Sequence, residues 1–466
     1  MTYWPVREGV SAGMPSRRDL TVSMRFVLVD LKIAGTKANR DHTGGFGSFM
    51  HSSGLIGTAV SRIKSSLIDL PVMSLGFTST ILRDAGHEVV FSYGELTPDA
   101  DIIIIANAMH CYADELTWAA RQRELSPNAK IGFYGPFVQE RPELFQKDSQ
   151  FQIGGELESA IFAYLEGHHD FSGMLNFGIV KDLEKLPFPD WSGMDHRRFS
   201  YFPLLHKRPF FPIQASRGCS FNCDFCPYMV SQTKYYRRRE PKHVVAEMER
   251  NVRDYGMRSF LFRDICFTLN RKYARQISEV MIERGLDLDW ACETRLDCLD
   301  ESLIDVMVEA GLVGMNIGIE TGNNEILKNS GKSNPEVARQ EAIIAYLQSK
   351  GVRINGFYML GLIGDTSKTM DDTVEYAKRL NTLGAQFCIM TPFPGTPLAD
   401  QLKDKLLTSD YTQFNEYQPV VEIGTASARE VRDAHAQAYR KYYLRPSWLL
   451  QNGASTAIRM IQNIVR

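Results

Sequence analysis

The sequence lacks any apolar stretch that approaches the roughly 20 residues needed to cross a bilayer, so no membrane span is expected. The beginning of the chain carries charged residues such as Arg7, Arg17 and Asp19 without a long apolar run, which argues against a secretory signal. Neither sign of charge is in excess, because 53 Lys and Arg stand against 55 Asp and Glu and the formal net charge is −2. Without a strong field of one sign, nucleic acids and acidic membranes are not expected as partners.

Repeats of the solenoid type and low-complexity tracts are also lacking. The composition is ordinary for a soluble globular protein, with 44% hydrophobic and 23% charged residues. A length of 466 residues corresponds to about three domains. A large buried core is therefore expected, and the chemistry of the protein must be encoded in local motifs.

Cysteine is scarce, and it is unevenly distributed. Three of the eight cysteines stand together as Cys219, Cys223 and Cys226, in the spacing Cys-x3-Cys-x2-Cys. The other five stand singly: Cys111, Cys266, Cys292, Cys298 and Cys388. Three residues bunched so tightly do not suit the disulfide framework of a secreted protein, and they indicate a reducing cytoplasm.

Three closely spaced thiolates suit a cubane iron–sulfur cluster, whose irons prefer soft sulfur ligands. Three ligands for four irons leave one iron open to a substrate or a cofactor. A zinc site usually has four ligands, often as two Cys-x2-Cys pairs, and the sequence contains no second pair. A ferredoxin-type cluster would need a fourth cysteine, but Cys266 ends an apolar run and is typical of an inert buried side chain. The cluster with three thiolates is therefore favoured over zinc or a disulfide.

Strand and helix patterns alternate after an irregular tail at residues 1–23. Short β-branched or aromatic runs predict strands at 24–31, 87–91, 101–106 and 130–135, and helices are predicted at 72–86 and 113–125. This alternation predicts an α/β fold with a Rossmann-like, doubly wound parallel sheet over residues 24–166. Ligands are expected at the carboxyl ends of its strands.

Residues 167–205 interrupt this alternation with several prolines and are predicted to form a linker. A second alternation follows, with strands predicted at 211–215, 259–265, 289–294, 315–320, 353–360 and 386–390, and helices at 243–255, 271–284, 301–310, 335–350 and 369–383. Six strand–helix units predict a (β/α)6 partial TIM barrel over residues 206–399, with the cysteine motif after its first strand. Residues 400–466 are predicted to form a helical C-terminal region that closes over the barrel mouth.

Several motifs, in this order and spacing, closely resemble those of the radical S-adenosylmethionine (SAM) superfamily. The cysteine motif has an aromatic residue, Phe225, before its third cysteine. Further matching segments are Cys292-Glu293-Thr294-Arg295, Gly318-Ile319-Glu320-Thr321-Gly322, residues 361–366, 392–397 and 440–446, and Gly154-Gly155-Glu156-Leu157-Glu158. Together they resemble the subfamily that carries an N-terminal cobalamin-binding (B12-binding) domain, and the resemblance covers most of the chain.

The resemblance implies that Cys219, Cys223 and Cys226 hold a 4Fe-4S cluster whose open iron binds S-adenosyl-L-methionine. Phe225 would pack near the cluster and the adenine. Four charged residues in apolar strands are implied as SAM ligands: Asp264, Glu293, Arg295 and Glu320. A structural ion pair is the alternative for Glu293, Arg295 and Glu320. No catalytic side chain is assigned, because the cofactors carry the chemistry.

In the first domain the resemblance implies a cobalamin site that includes Gly135, Gly154, Gly155 and Glu156, beside a glycine-rich loop at 44–57. Cobalamin domains that ligate cobalt through histidine carry Asp-x-His-x-x-Gly, and the segment at 41–45 departs from that spacing. The resemblance therefore names no lower axial ligand. The alternative is a Rossmann-like domain whose cobalamin site has been lost.

The resemblance implies a cobalamin-dependent radical SAM methyltransferase that acts on an unactivated carbon of a small-molecule biosynthetic intermediate through a 5′-deoxyadenosyl radical. An external electron donor such as flavodoxin or ferredoxin would be its partner. One alternative is a radical SAM cyclase or rearrangement enzyme without net methyl transfer. A more remote alternative is a non-catalytic protein that binds an iron–sulfur cluster or cobalamin.

Overall fold

The computed structural model describes residues 23–32, 38–39, 46, 48–49 and 67–453. The chain divides into two compact units. The first comprises residues 1–36, 40–47 and 72–194, and the second comprises residues 37–39, 48–71 and 195–466. None of the helices in the described part of the chain combines the length and the apolar character that crossing a bilayer requires.

The strands of the described residues are β1 (Arg25–Val29), β2 (Ala38–Asn39), β3 (Ser48–Phe49), β4 (Ile68–Asp69), β5 (Glu88–Ser92), β6 (Ile102–Ala106), β7 (Lys130–Tyr134), β8 (Phe151–Gly154), β9 (Gly173–Asn176), β10 (Ser200–Tyr201), β11 (Phe210–Ile213), β12 (Ser216–Arg217), β13 (Arg237–Arg238), β14 (Ser259–Phe262), β15 (Asp289–Arg295), β16 (Leu312–Glu320), β17 (Arg353–Leu360) and β18 (Gly384–Ile389). The α-helices are Met73–Asp84, Tyr112–Leu125, Pro136–Glu140, Leu157–Leu165, Tyr228–Ser231, Pro241–Tyr255, Arg271–Glu283, Glu301–Glu309, Asn324–Lys328, Val337–Ser349, Ser367–Leu380, Pro397–Leu402, Ala428–Tyr443 and Pro446–Trp448.

The first unit is built on a six-stranded parallel sheet in the order β5-β1-β6-β7-β8-β9. All residues of β6 are buried, which is typical of a strand that is covered by helices on both faces. From β1 the chain passes first to β5 on one side and later to β6 on the other. The sheet is therefore doubly wound, with its switch point between β1 and β6. This confirms the predicted Rossmann-like fold.

The predicted linker at residues 167–205 contains two strands. β9 pairs in parallel with β8 and so extends the first sheet, whereas β10 pairs antiparallel with β4 in the second unit. The sequence pattern missed both because three of the four residues of β9 are exposed and β10 has only two residues. The predicted domain bounds at 1–23, 24–166, 206–399 and 400–466 otherwise stay predictions.

The second unit is built on a six-stranded parallel sheet in which the strands follow one another in chain order, β11-β14-β15-β16-β17-β18. A helix of nine residues or more lies between each successive pair of these strands. This confirms the predicted (β/α)6 partial barrel, and all six predicted strands are present. The carboxyl ends of parallel strands meet at one edge, where the functional groups of such barrels lie.

Local signals explain where the barrel helices begin and end. Pro241 opens the helix Pro241–Tyr255, and Gly256 ends it with a left-handed φ of 65°. The side chains of Asn270 and Asp300 cap the next two helices by accepting hydrogen bonds from backbone N–H groups three residues later. These caps satisfy donors that have no partner within the helix.

The C-terminal region is helical mainly over Ala428–Tyr443. Two tyrosine hydroxyls of this helix form hydrogen bonds with the backbone of β18. The Tyr439 hydroxyl lies 3.2 Å from both the N–H and the carbonyl of Phe387, and the Tyr443 hydroxyl lies 2.9 Å from those of Ala385. The helix also packs against the barrel helix Ser367–Leu380. This helix therefore lies in the outer helical layer and does not close over the barrel mouth. For the rest of residues 400–466 the closure stays a prediction.

Candidate metal centre

The cysteine motif lies in a loop at the carboxyl end of β11. The base of the loop is closed by the antiparallel pair of β12 and β13. Two further bonds fasten it, from the Cys219 N–H to the Thr233 carbonyl at 3.3 Å and from the Gly218 N–H to the Gln232 side chain at 3.0 Å. Gly218 has a φ of 87°, and a Cβ there would collide with a backbone oxygen, so this turn requires glycine.

The middle of the same loop is held by two other segments of the second unit. The Asp224 N–H donates to the Ser330 carbonyl at 3.1 Å, and the Asp224 carbonyl accepts from the Leu398 N–H at 3.2 Å. Phe225 follows and is half-buried. The loop that carries the three cysteines is thus positioned from three sides.

The three cysteines are free thiols, and each is half-buried. Burial raises the pKa of Cys219 to about 11 and that of Cys226 to about 12, and burial also raises the pKa of Cys223. The three sulfurs lie close enough that a charge on Cys223 or Cys219 further raises the pKa of Cys226. The thiols are therefore protonated at neutral pH until a metal displaces their protons.

The chemistry of the donors indicates which metal they suit. In a cubane iron–sulfur cluster each thiolate binds a different iron. The three soft sulfur donors on one fixed loop therefore fit an iron–sulfur cluster.

Arg295 connects the end of β15 to the cysteine loop. Its Nη1 donates to the Cys223 sulfur at 3.3 Å, and its guanidinium lies 3.8 Å from the centre of the Phe221 ring. It also makes a fork with Asp297, at 2.9 and 2.6 Å, and donates to the Ser333 carbonyl at 3.0 Å. Four of its five N–H groups are therefore engaged within the protein.

The two glutamates predicted at this edge each form an ion pair. Glu293 accepts from Arg263 at 2.6 Å, and Glu320 accepts from Lys332 at 2.6 Å. The alternative of structural ion pairs is thus present in the geometry. The Glu293 and Glu320 side chains nevertheless keep 19% and 12% exposure, so a ligand can still reach the paired carboxylates.

Asp264 has a different environment from the other three charged candidates. It is only 1% exposed, and its carboxylate accepts bonds from the Ala215 N–H at 3.0 Å and from the Ser216 hydroxyl at 2.5 Å. Both donors lie between β11 and the cysteine loop. Asp264 therefore fixes the start of the loop from within the core, and burial raises its pKa to about 6.

The candidates in the first unit lie at the carboxyl ends of β7 and β8. Gly135 begins the helix after β7, and Gly154 ends β8. Gly155 has a φ of 73° and donates to the Gln139 side chain at 2.9 Å. Glu156 is buried, and its carboxylate accepts from the Val180 N–H at 2.8 Å, which holds the turn after β9. The glycine-rich loop at 44–57 and the segment at 41–45 lie almost entirely outside the described residues.

Sequence analysis missed the partners of the predicted residues. Asp297 follows Arg295 at the second position, and that short spacing could have indicated the fork. Lys332 lies 12 residues from Glu320 along the chain, and Arg263 lies 30 residues from Glu293. No local pattern connects either pair. Ser216 carried no signal at all, because its role depends on the position of Asp264.

Comparisons with known proteins agree with this geometry. Residues 213–377 match the family described as the radical SAM superfamily, which confirms the resemblance found in the sequence. The chain is 27% identical over 379 residues to an uncharacterized methyltransferase (PH0819) of Pyrococcus horikoshii, covering 76% of this chain and 81% of that protein. It is 30% identical over 275 residues to an anaerobic magnesium-protoporphyrin IX monomethyl ester cyclase of Rubrivivax gelatinosus, covering 58% of this chain and 48% of the cyclase, about half of its length.

A solved structure shares the fold over most of the chain. The radical SAM methyltransferase TsrM from Kitasatospora setae, with cobalamin and a [4Fe-4S] cluster bound, superimposes with a TM-score of 0.58. The match covers 82% of this chain and 75% of TsrM at 15% sequence identity. At that identity the likeness establishes a shared fold.

We predict that Asp264 makes the stability of the protein fall as the pH rises. Burial raises the pKa of Asp264 to about 6 in the folded state, whereas the ordinary pKa of an Asp in an unfolded chain is 3.8. Between these values the folded state binds more protons, so raising the pH from 4 to 7 should cost about 2 kcal/mol of unfolding free energy that Asp264→Asn does not lose. Denaturant unfolding of both proteins at the two pH values measures this difference.

The exposed Asp287 supplies the control, since its side chain is 98% exposed. Asp287→Asn should unfold with the same pH dependence as the wild type. If Asp264→Asn also keeps the wild-type pH dependence, burial does not hold the proton on Asp264.

Proposed function

We propose, from the premise that this chain carries a radical SAM domain, that it is a cobalamin-dependent radical SAM methyltransferase. It would transfer a methyl group to an unactivated carbon, or a similar centre, of a small molecule. The observation that carries the proposal is the loop of three free cysteines, fixed at the carboxyl edge of a six-stranded partial barrel. The similarity to proteins named methyltransferases supports the reaction type.

Cys219, Cys223 and Cys226 would hold the 4Fe-4S cluster. When bound, such a cluster supplies an electron and an open iron that together permit reductive cleavage of SAM. The protein would then position SAM. The carboxylates of Glu293 and Glu320, which remain partly exposed, would accept hydrogen bonds from its ammonium or ribose hydroxyls. Phe225 would pack against the adenine.

Arg295 and Asp264 act on the loop rather than on SAM in this proposal. Asp264 has almost no exposed surface, and most donors of Arg295 are already engaged. Asp264 would fix the start of the cysteine loop, and Arg295 would hold Cys223 from the opposite side. This assignment revises the SAM-binding role that the sequence motifs imply for both.

The first unit would bind cobalamin, which supplies a carrier for the methyl group when bound. Gly135, Gly154, Gly155 and Glu156 lie at carboxyl ends of a doubly wound sheet, where such folds bind nucleotide-like ligands. The fold shared with TsrM, a protein with cobalamin bound, supports this part of the proposal. The electron would come from an external donor such as flavodoxin or ferredoxin in the cytoplasm.

The cluster assignment predicts that the three cysteines are essential for SAM cleavage. A variant with Cys219, Cys223 and Cys226 changed to Ala should lose at least about 100-fold of 5′-deoxyadenosine formation, because no thiolate remains to hold the irons. The assay uses the full chain after anaerobic reconstitution with iron, sulfide and cobalamin, with dithionite as reductant and chromatographic detection of 5′-deoxyadenosine. The control is Cys111→Ala, a single buried cysteine of the first unit that should retain activity. Equal production by the wild type and the triple variant would refute the assignment.

The similarity to the cyclase favours a second candidate, a radical SAM rearrangement or cyclisation without net methyl transfer. Label from the SAM methyl group separates the two. A host strain with the gene, fed methyl-deuterated methionine, should contain a metabolite with three added deuteriums that is missing from a strain with the triple cysteine variant. Mass spectrometry of both extracts makes the comparison. A metabolite that depends on the wild-type gene but carries no label would favour the rearrangement enzyme.

Arg295 should tune the reduction potential of the cluster. A donor to a cluster sulfur stabilises the extra negative charge of the reduced state. Arg295→Gln, which loses the bond to Cys223, should therefore lower the midpoint potential by on the order of 50 mV, since about 59 mV corresponds to 1.4 kcal/mol for one electron. A redox titration followed by electron paramagnetic resonance measures it. Arg271→Gln, which changes a 50% exposed arginine on the other side of Asp297, should leave the potential unchanged. Identical potentials for wild type and Arg295→Gln would contradict the role.

A further inference from the structure

Strands β17 and β18 present one face to the interior of the partial barrel. Along β17, half-exposed residues alternate with buried ones, and the last four residues of β18 follow the same alternation. The buried set includes Tyr358 and Phe387, which lie under the helices of the outer layer. The half-exposed set therefore faces inward. It begins with Arg353 at the start of β17, and we call its other five members the inner wall: Asn355, Phe357, Met359, Gln386 and Cys388.

Glu416 stands at the end of this inner wall. Its carbonyl accepts a hydrogen bond from the N–H of Ile389, the last residue of β18, at 2.6 Å. Its carboxylate lies 3.8 Å from the Cys388 sulfur, so the side chain is on the inward face. The backbone of Glu416 has a φ of 65°, which is a costly conformation for a residue with a Cβ and is held here by the surrounding structure.

The carboxylate of Glu416 also lies within electrostatic range of two residues beside the cysteine loop, Tyr228 and Glu320. Tyr228 follows Cys226 by two residues, and burial raises its pKa, to which the charges of Glu293, Cys226 and Glu416 add. Glu416 in turn is affected by the charge of Glu320. The inner wall and the cysteine loop therefore border the same interior space of the second unit.

Glu416 differs from the other carboxylates in this space because it lacks a cation. Glu293 pairs with Arg263, Glu320 with Lys332, and Asp297 with Arg295. Among the described residues, no Lys, Arg or His forms an ion pair with Glu416, and its only hydrogen-bonding side chain is Cys388. The residue Glu416 is half-buried, so a ligand can reach its carboxylate, and a bound cation would offset the cost of partly burying an unpaired charge.

We propose that Glu416 binds a positively charged group, such as a primary ammonium, on the small-molecule substrate. The apolar side chains of Phe357 and Met359 would contact the body of that molecule, and Asn355 and Gln386 would offer hydrogen bonds. The inference rests on the proposed function, which it extends by naming the substrate class. Glu416 is a positioning residue in this role, since the reacting carbon lies elsewhere on the substrate.

The protonation state of Glu416 should make the binding of a cation depend on pH. The pKa of Glu416 is raised to about 7, mainly by burial. The charge of Glu320 adds to this rise, and the hydrogen bond from the Cys388 thiol opposes it. The titratable groups around it are Cys388, Glu320 with its partner Lys332, Tyr228, Tyr417 and Tyr439. Burial raises the pKa of all three tyrosines, which stay neutral, so Glu416 is the carboxyl that titrates near pH 7. Ionisation of this carboxyl should then favour a cation.

Benzylamine, which stays charged between pH 6 and pH 8, is the probe, and benzyl alcohol is its uncharged match. Binding to the reconstituted full-length protein is measured by saturation-transfer NMR. Benzylamine should bind about tenfold more tightly at pH 8 than at pH 6, because the ionised fraction of Glu416 rises by about that factor. Glu416→Gln keeps the side-chain size and should abolish this pH dependence. Glu422→Gln, a change at a half-exposed glutamate of the same segment, should preserve it.

Three outcomes overturn the proposal. Benzylamine could fail to bind the wild type at millimolar concentration, it could bind Glu416→Gln with the same pH dependence, or benzyl alcohol could bind better at pH 6 than at pH 8. The last result would identify Glu416 as a neutral hydrogen-bond donor instead. Binding is measured without turnover, whereas the proposed function is tested by 5′-deoxyadenosine formation, so each can fail while the other stands.

Discussion

The cost of burying charge is the constraint that organises the second unit. Radical chemistry needs a water-poor interior, yet the barrel places carboxylates and guanidinium groups there. The structure resolves this conflict by pairing: Arg263 with Glu293, Lys332 with Glu320, and Arg295 with Asp297, all at 2.6 Å. The pairs of Arg263 with Glu293 and of Lys332 with Glu320 each join separate segments, so these contacts also set the positions of the strand ends. The protein thereby obtains a polar site inside an apolar scaffold, with its geometry fixed before any ligand arrives.

The cysteine loop applies a related principle to metal binding. Its three thiols are held by backbone bonds to segments around residues 233, 330 and 398, and burial keeps them protonated. Three thiolates in this half-buried loop would repel one another, whereas three neutral thiols do not. Metal binding supplies the positive charge that compensates the lost protons. The thiols would therefore release their protons as the metal binds.

Features that depend on neighbouring residues in the chain could be predicted from the sequence, and features that depend on distant contacts could not. The six barrel strands were found because each is a buried run between helical patterns, and the cysteines were found because their spacing is local. Strand β9 was missed because three of its four residues are exposed. The outer position of the helix Ala428–Tyr443 could not be predicted, because no sequence pattern states which side of a sheet a helix covers. The pairing of Lys332 with Glu320 and the isolation of Glu416 both arise only when separate segments meet.

The position of the helix Ala428–Tyr443 outside β18 has a consequence for how such proteins diversify. Tyrosine hydroxyls fasten this helix to the backbone of β18, and its His435 also contacts Tyr417 of the segment between residues 403 and 427. That segment carries Glu416, buries side chains such as Val420 in the core, and is bonded to the barrel where the Thr425 hydroxyl donates to the Asp365 carbonyl at 2.6 Å. A stretch anchored at both ends can exchange its sequence while the cofactor-binding half is inherited intact. Substitutions in the segment between residues 403 and 427 could therefore change the substrate specificity of such a protein, as variable loops on a constant scaffold do in antibodies.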